Sequence, residues 1–99
     1  AARVLAARVL SQTKGTDESR LRDLFRSVLL RHLQPTELAV LTRRLARSRE
    51  RFGTDLPSAK RLVSVGESPV DPQLDVVEWA AYSTVASLLF NLDELVTKE

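Results

Sequence analysis

The side chains with chemical potential are few and unevenly placed. Arg43, Arg44, Arg47 and Arg51 follow one another at steps of one, three and four residues, and on a helix that spacing gathers four guanidinium forks within about a 100° arc, where they could contact phosphates or another polyanion. The same pattern is also what the solvated face of a core helix looks like. His32 is the only histidine and the chain has no cysteine. A metal centre would therefore have to be completed by carboxylates, a poor donor set for zinc or a transition metal, and no metal ligand is assigned. A nucleophile–base pair would need a serine or threonine beside His32. Asp93 and Glu94 are adjacent, so on a helix they project about 100° apart and do not converge as an acid–base dyad. Gly15, Gly53 and Gly66, the three glycines, punctuate helix ends and form no phosphate-cradling loop. No catalytic or cofactor-binding residue is assigned, and the segment reads as non-enzymatic.

Charge divides the chain. Residues 1–52 carry 12 Lys+Arg against 5 Asp+Glu, and residues 53–99 carry 3 against 8, a basic half of +7 beside an acidic half of −5. The acidic half lies within reach to neutralise part of the basic one. With 99 residues, 43% hydrophobic and 28% charged, the chain fits one small folded domain over 1–99 and argues against wholesale disorder. Its longest strongly apolar stretch, Val85 to Phe90, is far short of the roughly 20 residues that cross a bilayer, so no membrane span is expected. The opening Ala1-Ala2-Arg3 carries neither methionine nor the pattern of a secretory signal, and the chain is read as an excised segment of a longer protein.

The elements that must position these residues are helices. The repeated AARVL of Ala1–Leu10 drifts off a 3.6-residue period but favours helix throughout, up to about Thr13. Thr16 or Asp17 caps a second helix of about 17–33, with Leu21, Leu24, Phe25, Val28, Leu29 and Leu33 on one face. Gln34-Pro35-Thr36-Glu37 stops that helix and starts a third of about 36–52, with Thr36 as cap and Gly53 as stop. A connection so short makes the two an antiparallel hairpin. A shorter helix, entered through Asp55 and Pro57 and closed near Gly66, offers Leu62, Val63 and Val65 for burial. Pro69 and Pro72 enforce an extended loop over Glu67 to Leu74. Asp75 with Glu78 has capping-box spacing, and a last helix of about 75–91 follows, apolar on most sides and so central. The expected fold is an all-α single bundle of four to five helices.

Trp79 and Tyr82 share a face of that last helix, where they serve core packing or dock a protein partner. Asn91, Asp93 and Glu94 follow its apolar run and are expected to anchor its last turn and tail as structural groups. Pro35-Thr36-Glu37-Leu38-Ala39-Val40-Leu41 resembles the opening of response-regulator-type helix-turn-helix domains. No recognition helix follows at the required distance, because the third helix continues through Arg51.

In order along the chain, Leu24-Phe25-Arg26 with Leu29-Leu30-Arg31, Pro35-Thr36-Glu37-Leu38, Val65-Gly66-Glu67-Ser68-Pro69, Trp79-Ala80-Ala81 and Leu88-Leu89-Phe90-Asn91-Leu92-Asp93-Glu94 resemble one family. It is the planctomycete-type C-terminal domain of unknown function found at the end of large bacterial proteins, many with a cytochrome c-like domain at the N-terminus. The resemblance implies a parent exported to the cell envelope and, for this segment, a domain with no established activity. The haem-attachment Cys-x-x-Cys-His of such parents has no counterpart in these cysteine-free residues, so no haem or other cofactor is assigned. The functional expectation is a non-catalytic helical module that supports or docks against the remainder of the parent polypeptide. The alternative is nucleic-acid or polyanion binding through the basic face of the 36–52 helix.

Overall fold

The computed structural model describes residues 2–13, 15–64 and 74–97, with side chains through residue 92. These residues form five α-helices and no strand: α1 (Ala2–Gln12), α2 (Asp17–Leu29), α3 (Pro35–Thr54), α4 (Leu56–Ser64) and α5 (Val76–Thr97). α5 packs against each of the other four, and α2 packs against α3 as the short connection between them requires. Five consecutive residues of α5, Trp79 to Ser83, are buried, which on a 100° repeat means that every side of the helix is covered there. Ala80, Ala81 and Ala86, all inaccessible to solvent, let neighbouring backbones approach closely. The hydroxyls of Ser83 and Thr84 donate to the carbonyls of Trp79 and Ala80 at 2.7 and 3.0 Å, so their polarity is met within the helix itself.

The helix boundaries correct several expectations. α2 ends at Leu29, not near Leu33: Leu30 adopts the left-handed conformation (φ 57°) and its N–H donates to the Arg26 carbonyl at 2.9 Å. Further on, the residue before Pro35 is held extended, as Gln34 is (φ −82°, ψ 153°). The chain leaves the helix early enough to reverse, and Leu33 is buried from the connection instead of from a helix face. Pro35 occupies the first turn of α3, so the cap is Gln34 in place of Thr36, with the Gln34 N–H donating to the Glu37 carboxylate at 3.0 Å. α3 continues through Gly53 to Thr54, whose hydroxyl donates to the carbonyls of Glu50 and Arg51. Asp55 accepts from the Ser58 N–H and hydroxyl at 3.3 and 2.6 Å, which starts α4. On α4 the buried pair is Ala59 and Val63, four residues apart, while Leu62 stays 36% exposed. Val65, Gly66, Pro69 and Pro72 lie outside the described residues.

At the start of α5 the capping box is half made. The Glu78 N–H donates to the Asp75 carboxylate at 3.1 Å, but the Glu78 carboxylate turns to Arg49. α5 also runs past residue 91 to Thr97, so Asn91 is an exposed residue within the helix and does not follow its end.

Leu30 gives a stability test. It is 83% exposed and held where a Cβ is disfavoured, so Leu30→Gly removes strain that outweighs glycine's extra unfolded-state entropy. The expected gain is about 0.5–1 kcal/mol, read as a rise of a few degrees in the thermal midpoint. A lower midpoint would mean that Leu30 contributes packing that outweighs its backbone strain.

Candidate functional site

Titratable side chains converge at one place in the bundle. Asp17 is the first residue of α2 and Glu78 lies in the first turn of α5, positions where the helix dipole favours carboxylates. Arg49, on α3, reaches both. Its Nη1 and Nη2 donate to the two Asp17 oxygens at 2.6 Å each, and its Nε and Nη2 donate to the two Glu78 oxygens at 2.7 and 2.5 Å. Tyr82, one turn beyond Glu78, donates its hydroxyl to Asp17 Oδ1 at 2.6 Å and places its ring 5.8 Å from the guanidinium. One planar cation thus joins three helices through paired bidentate bonds, which lysine could not reproduce.

The electrostatics follow from those bonds. The Arg49 guanidinium holds the Asp17 carboxyl down to about 2 from an ordinary 3.8, against the opposing effect of burial, with the Tyr82 hydroxyl adding to the pull. Arg49 itself is held more firmly protonated, first by Asp17 and then by Glu78. Burial, reinforced by the Asp17 charge, pushes the Tyr82 phenol above its usual 10.0. The titrations of Asp17 and Tyr82 are therefore pushed further from pH 7 on either side, opposite to what general acid–base catalysis at that pH needs.

This sets a pH dependence. Because the folded-state pKa of Asp17 lies below its unfolded value, its contribution is fully present above about pH 4 and is lost as the pH falls toward 2. The side chain is 40% exposed, so the loss is taken below the full linkage value, at roughly 1–2 kcal/mol. Denaturant unfolding at pH 5, 3 and 2 checks it, and Asp17→Asn should flatten this part of the profile.

Arg49 is absent from the residues that spacing singles out, although a signal exists. It stands four residues after Leu45 and three before Phe52, in line with the buried face of α3. A charge in an apolar stripe implies an opposite charge on the facing helix.

Trp79 and Tyr82 are both buried, which bears out core packing and removes the alternative of a docking surface there. The Trp79 indole N–H donates to the Arg3 carbonyl at 2.9 Å, and the Arg3 guanidinium stands 5.5 Å from the indole ring while donating to the Val63 carbonyl at 2.8 Å. Trp79 thereby ties α1 and α4 to α5.

The basic face of α3 is only partly assembled as expected. Arg43, Arg44 and Arg47 are exposed and border, with Val40, a depression of about 210 Å³. Arg51 instead leans over the Phe52 ring at 5.3 Å and borders a different depression with Arg61. His32 is exposed in the α2–α3 connection, beside Arg22, Asp23 and Arg26, and not at a helix end. Among the described residues no three His, Asp or Glu side chains come together as a metal-binding group. Asp93 and Glu94 belong to α5, but their side chains lie outside the described residues. Among the described residues no helix is long and apolar enough to cross a membrane.

A second concave surface was not evident from spacing. Between the start of α3 and the later turns of α5 lies a groove of about 230 Å³, floored by Phe25, Leu41 and Leu89 and edged by Val40, Leu88 and Leu92. Val40 is 51% and Leu92 40% exposed. At one end Glu37 borders the groove while paired with Arg31 through bonds of 3.0 and 2.7 Å, and the Arg31 guanidinium stacks 4.8 Å from the Phe25 ring. Arg31 holds the Glu37 carboxyl below its ordinary range.

Compared with family models, with curated proteins and with solved structures, the chain finds no match in any of the three.

Proposed function

We propose that this chain is a non-catalytic helical module, the C-terminal part of a large bacterial envelope protein, which supports or docks against the remainder of that polypeptide. The observation that carries the reading is the Arg49 cluster. The convergent acids and phenol, the groups from which a reaction centre is built, instead join α2, α3 and α5, with Asp17 driven to about 2. Groups so arranged fix a surface in place and are poorly suited to exchange protons with a substrate. The parent's character and its export rest on the family resemblance of the sequence.

The test is association in trans. The 99-residue chain, isotopically labelled, is titrated with the separately expressed remainder of the parent polypeptide. Saturable spectral changes mapped to one face are expected. No interaction, together with unchanged stability of the remainder when these residues are deleted, would contradict the reading.

A second reading, polyanion binding through α3, draws on the exposure of Arg43, Arg44 and Arg47, none of which forms an ion pair among the described residues. It predicts duplex-DNA affinity that falls steeply with salt. Undetectable binding at low salt would end it.

A further inference from the structure

We propose that the groove between α3 and α5 is the docking site of this module and that its occupant is a short amphipathic helix with acidic flanks. This rests on the docking reading and gives it a place and a partner chemistry.

The first observation is shape. Leu88 and Leu92 stand one turn apart on α5 and face Val40 on α3 across a buried apolar floor. Two ridges with a trough between them are what a third helix fills, by placing side chains spaced i, i+3, i+4 and i+7 into the trough. Leaving such residues exposed in water is unfavourable, and their cover supplies the association energy.

The second observation is charge. Val40 belongs both to the groove and to the arginine depression, so the apolar and basic surfaces are continuous. Arg44 is four residues from Val40 and three from Leu41, which puts it one turn along the same edge. Arg43 and Arg47 extend the positive rim outward. Among the described residues the acid that borders the groove is Glu37, which is already engaged by Arg31 in a bidentate pair and so offers little repulsion to an incoming carboxylate. From Val40 to Arg47 the rim spans about 10 Å of helix, enough for two turns of a partner. A helix with an apolar stripe and glutamate or aspartate on its flank satisfies both surfaces together. A nucleic acid satisfies only the arginines and leaves the trough open, which is why the peptide is favoured.

The experiment uses two synthetic helical peptides of about 14 residues with one leucine stripe, one flanked by glutamate and the other by lysine. Each is titrated into the isotopically labelled 99-residue chain, with duplex DNA in a parallel titration. The glutamate peptide should shift the amides of Val40, Arg44, Leu88 and Leu92 saturably and bind at least about ten-fold more tightly than its lysine twin. Val40→Asp should weaken it about ten-fold with little change in thermal midpoint, Val40 being half exposed. The double variant Arg44→Glu/Arg47→Glu should reverse the preference between the peptides.

Equal binding of the two peptides, no binding of either, or shifts confined to another face would each overturn the proposal. So would DNA binding insensitive to Val40→Asp in a chain that ignores the peptides, which points to a polyanion. A concentration-dependent dimer that Val40→Asp abolishes would assign the groove to a second copy. Should the remainder of the parent bind at another face, the groove proposal fails while the docking reading stands; should it not bind at all, the docking reading fails by its own test.

Discussion

Trp79→Ala should lower the unfolding free energy by about 3–5 kcal/mol, a large share of the total for a domain of this size. The ring is buried against α5's neighbours, its N–H bonds the Arg3 carbonyl, and the Arg3 guanidinium lies over it. Truncation removes all three and leaves a cavity where α1 and α4 meet α5. At about 4–8 °C per kcal/mol the thermal midpoint falls by 12 °C or more. Trp79→Phe keeps most of the packing and loses the hydrogen bond, for a smaller cost of about 1–2 kcal/mol. Thermal and denaturant unfolding of the two variants check the order. A Trp79→Ala protein within about 1 kcal/mol of the parent chain would mean the ring is not enclosed.

Arg49→Met is expected to cost about 2–3 kcal/mol. Removing the cation leaves Asp17 and Glu78 beside each other, their four oxygens deprived of the guanidinium and Asp17 Oδ1 left with the Tyr82 hydroxyl. Full burial would place the loss at about 3–5 kcal/mol, but the Arg49 side chain keeps 31% of its exposure, so water recovers part of it. Arg49→Lys retains the charge without the fork that spans two carboxylates and should lose about half as much. The diagnostic readout is acid sensitivity. Without Arg49 the Asp17 pKa returns toward 3.8, and the loss of stability between pH 4 and 2 shrinks. A variant that merely packed badly would keep that slope. In the triple variant with Asp17→Asn and Glu78→Gln, a substantial part of the stability should return, because the lost interactions form one coupled unit.

The central place of α5 is written in its composition. From Val76 to Phe90 few charges interrupt the apolar residues, and a helix apolar on most sides has to be largely surrounded. The α2–α3 hairpin is equally legible, since Gln34-Pro35 forces an extended link. Its boundary is not, because Leu33 continues the helical spacing of α2 and is buried from a loop instead. Periodicity records which side chains are buried and not which backbone carries them.

The sites were harder to read. Whether Trp79 and Tyr82 pack inward or face a partner depends on acceptors 76 and 65 residues away, a pairing that local pattern does not contain. Arg49 hides among the arginines of α3, although its alignment with Leu45 and Phe52 separates it from the solvated ones. The groove is invisible in one dimension for a different reason. A helix apolar on most sides gives little hint of which apolar residues its neighbours leave uncovered, and Val40 alone on a basic face reads as an ordinary exposed valine.

Everything proposed for this chain requires that α5 be enclosed by the other four helices. Native-state hydrogen exchange measures this most directly. The amides of Trp79 to Leu89 should exchange only through global unfolding, with protection equal to the full unfolding free energy. Exchange of those amides at rates typical of exposed helix ends, in a chain that remains folded, would contradict it.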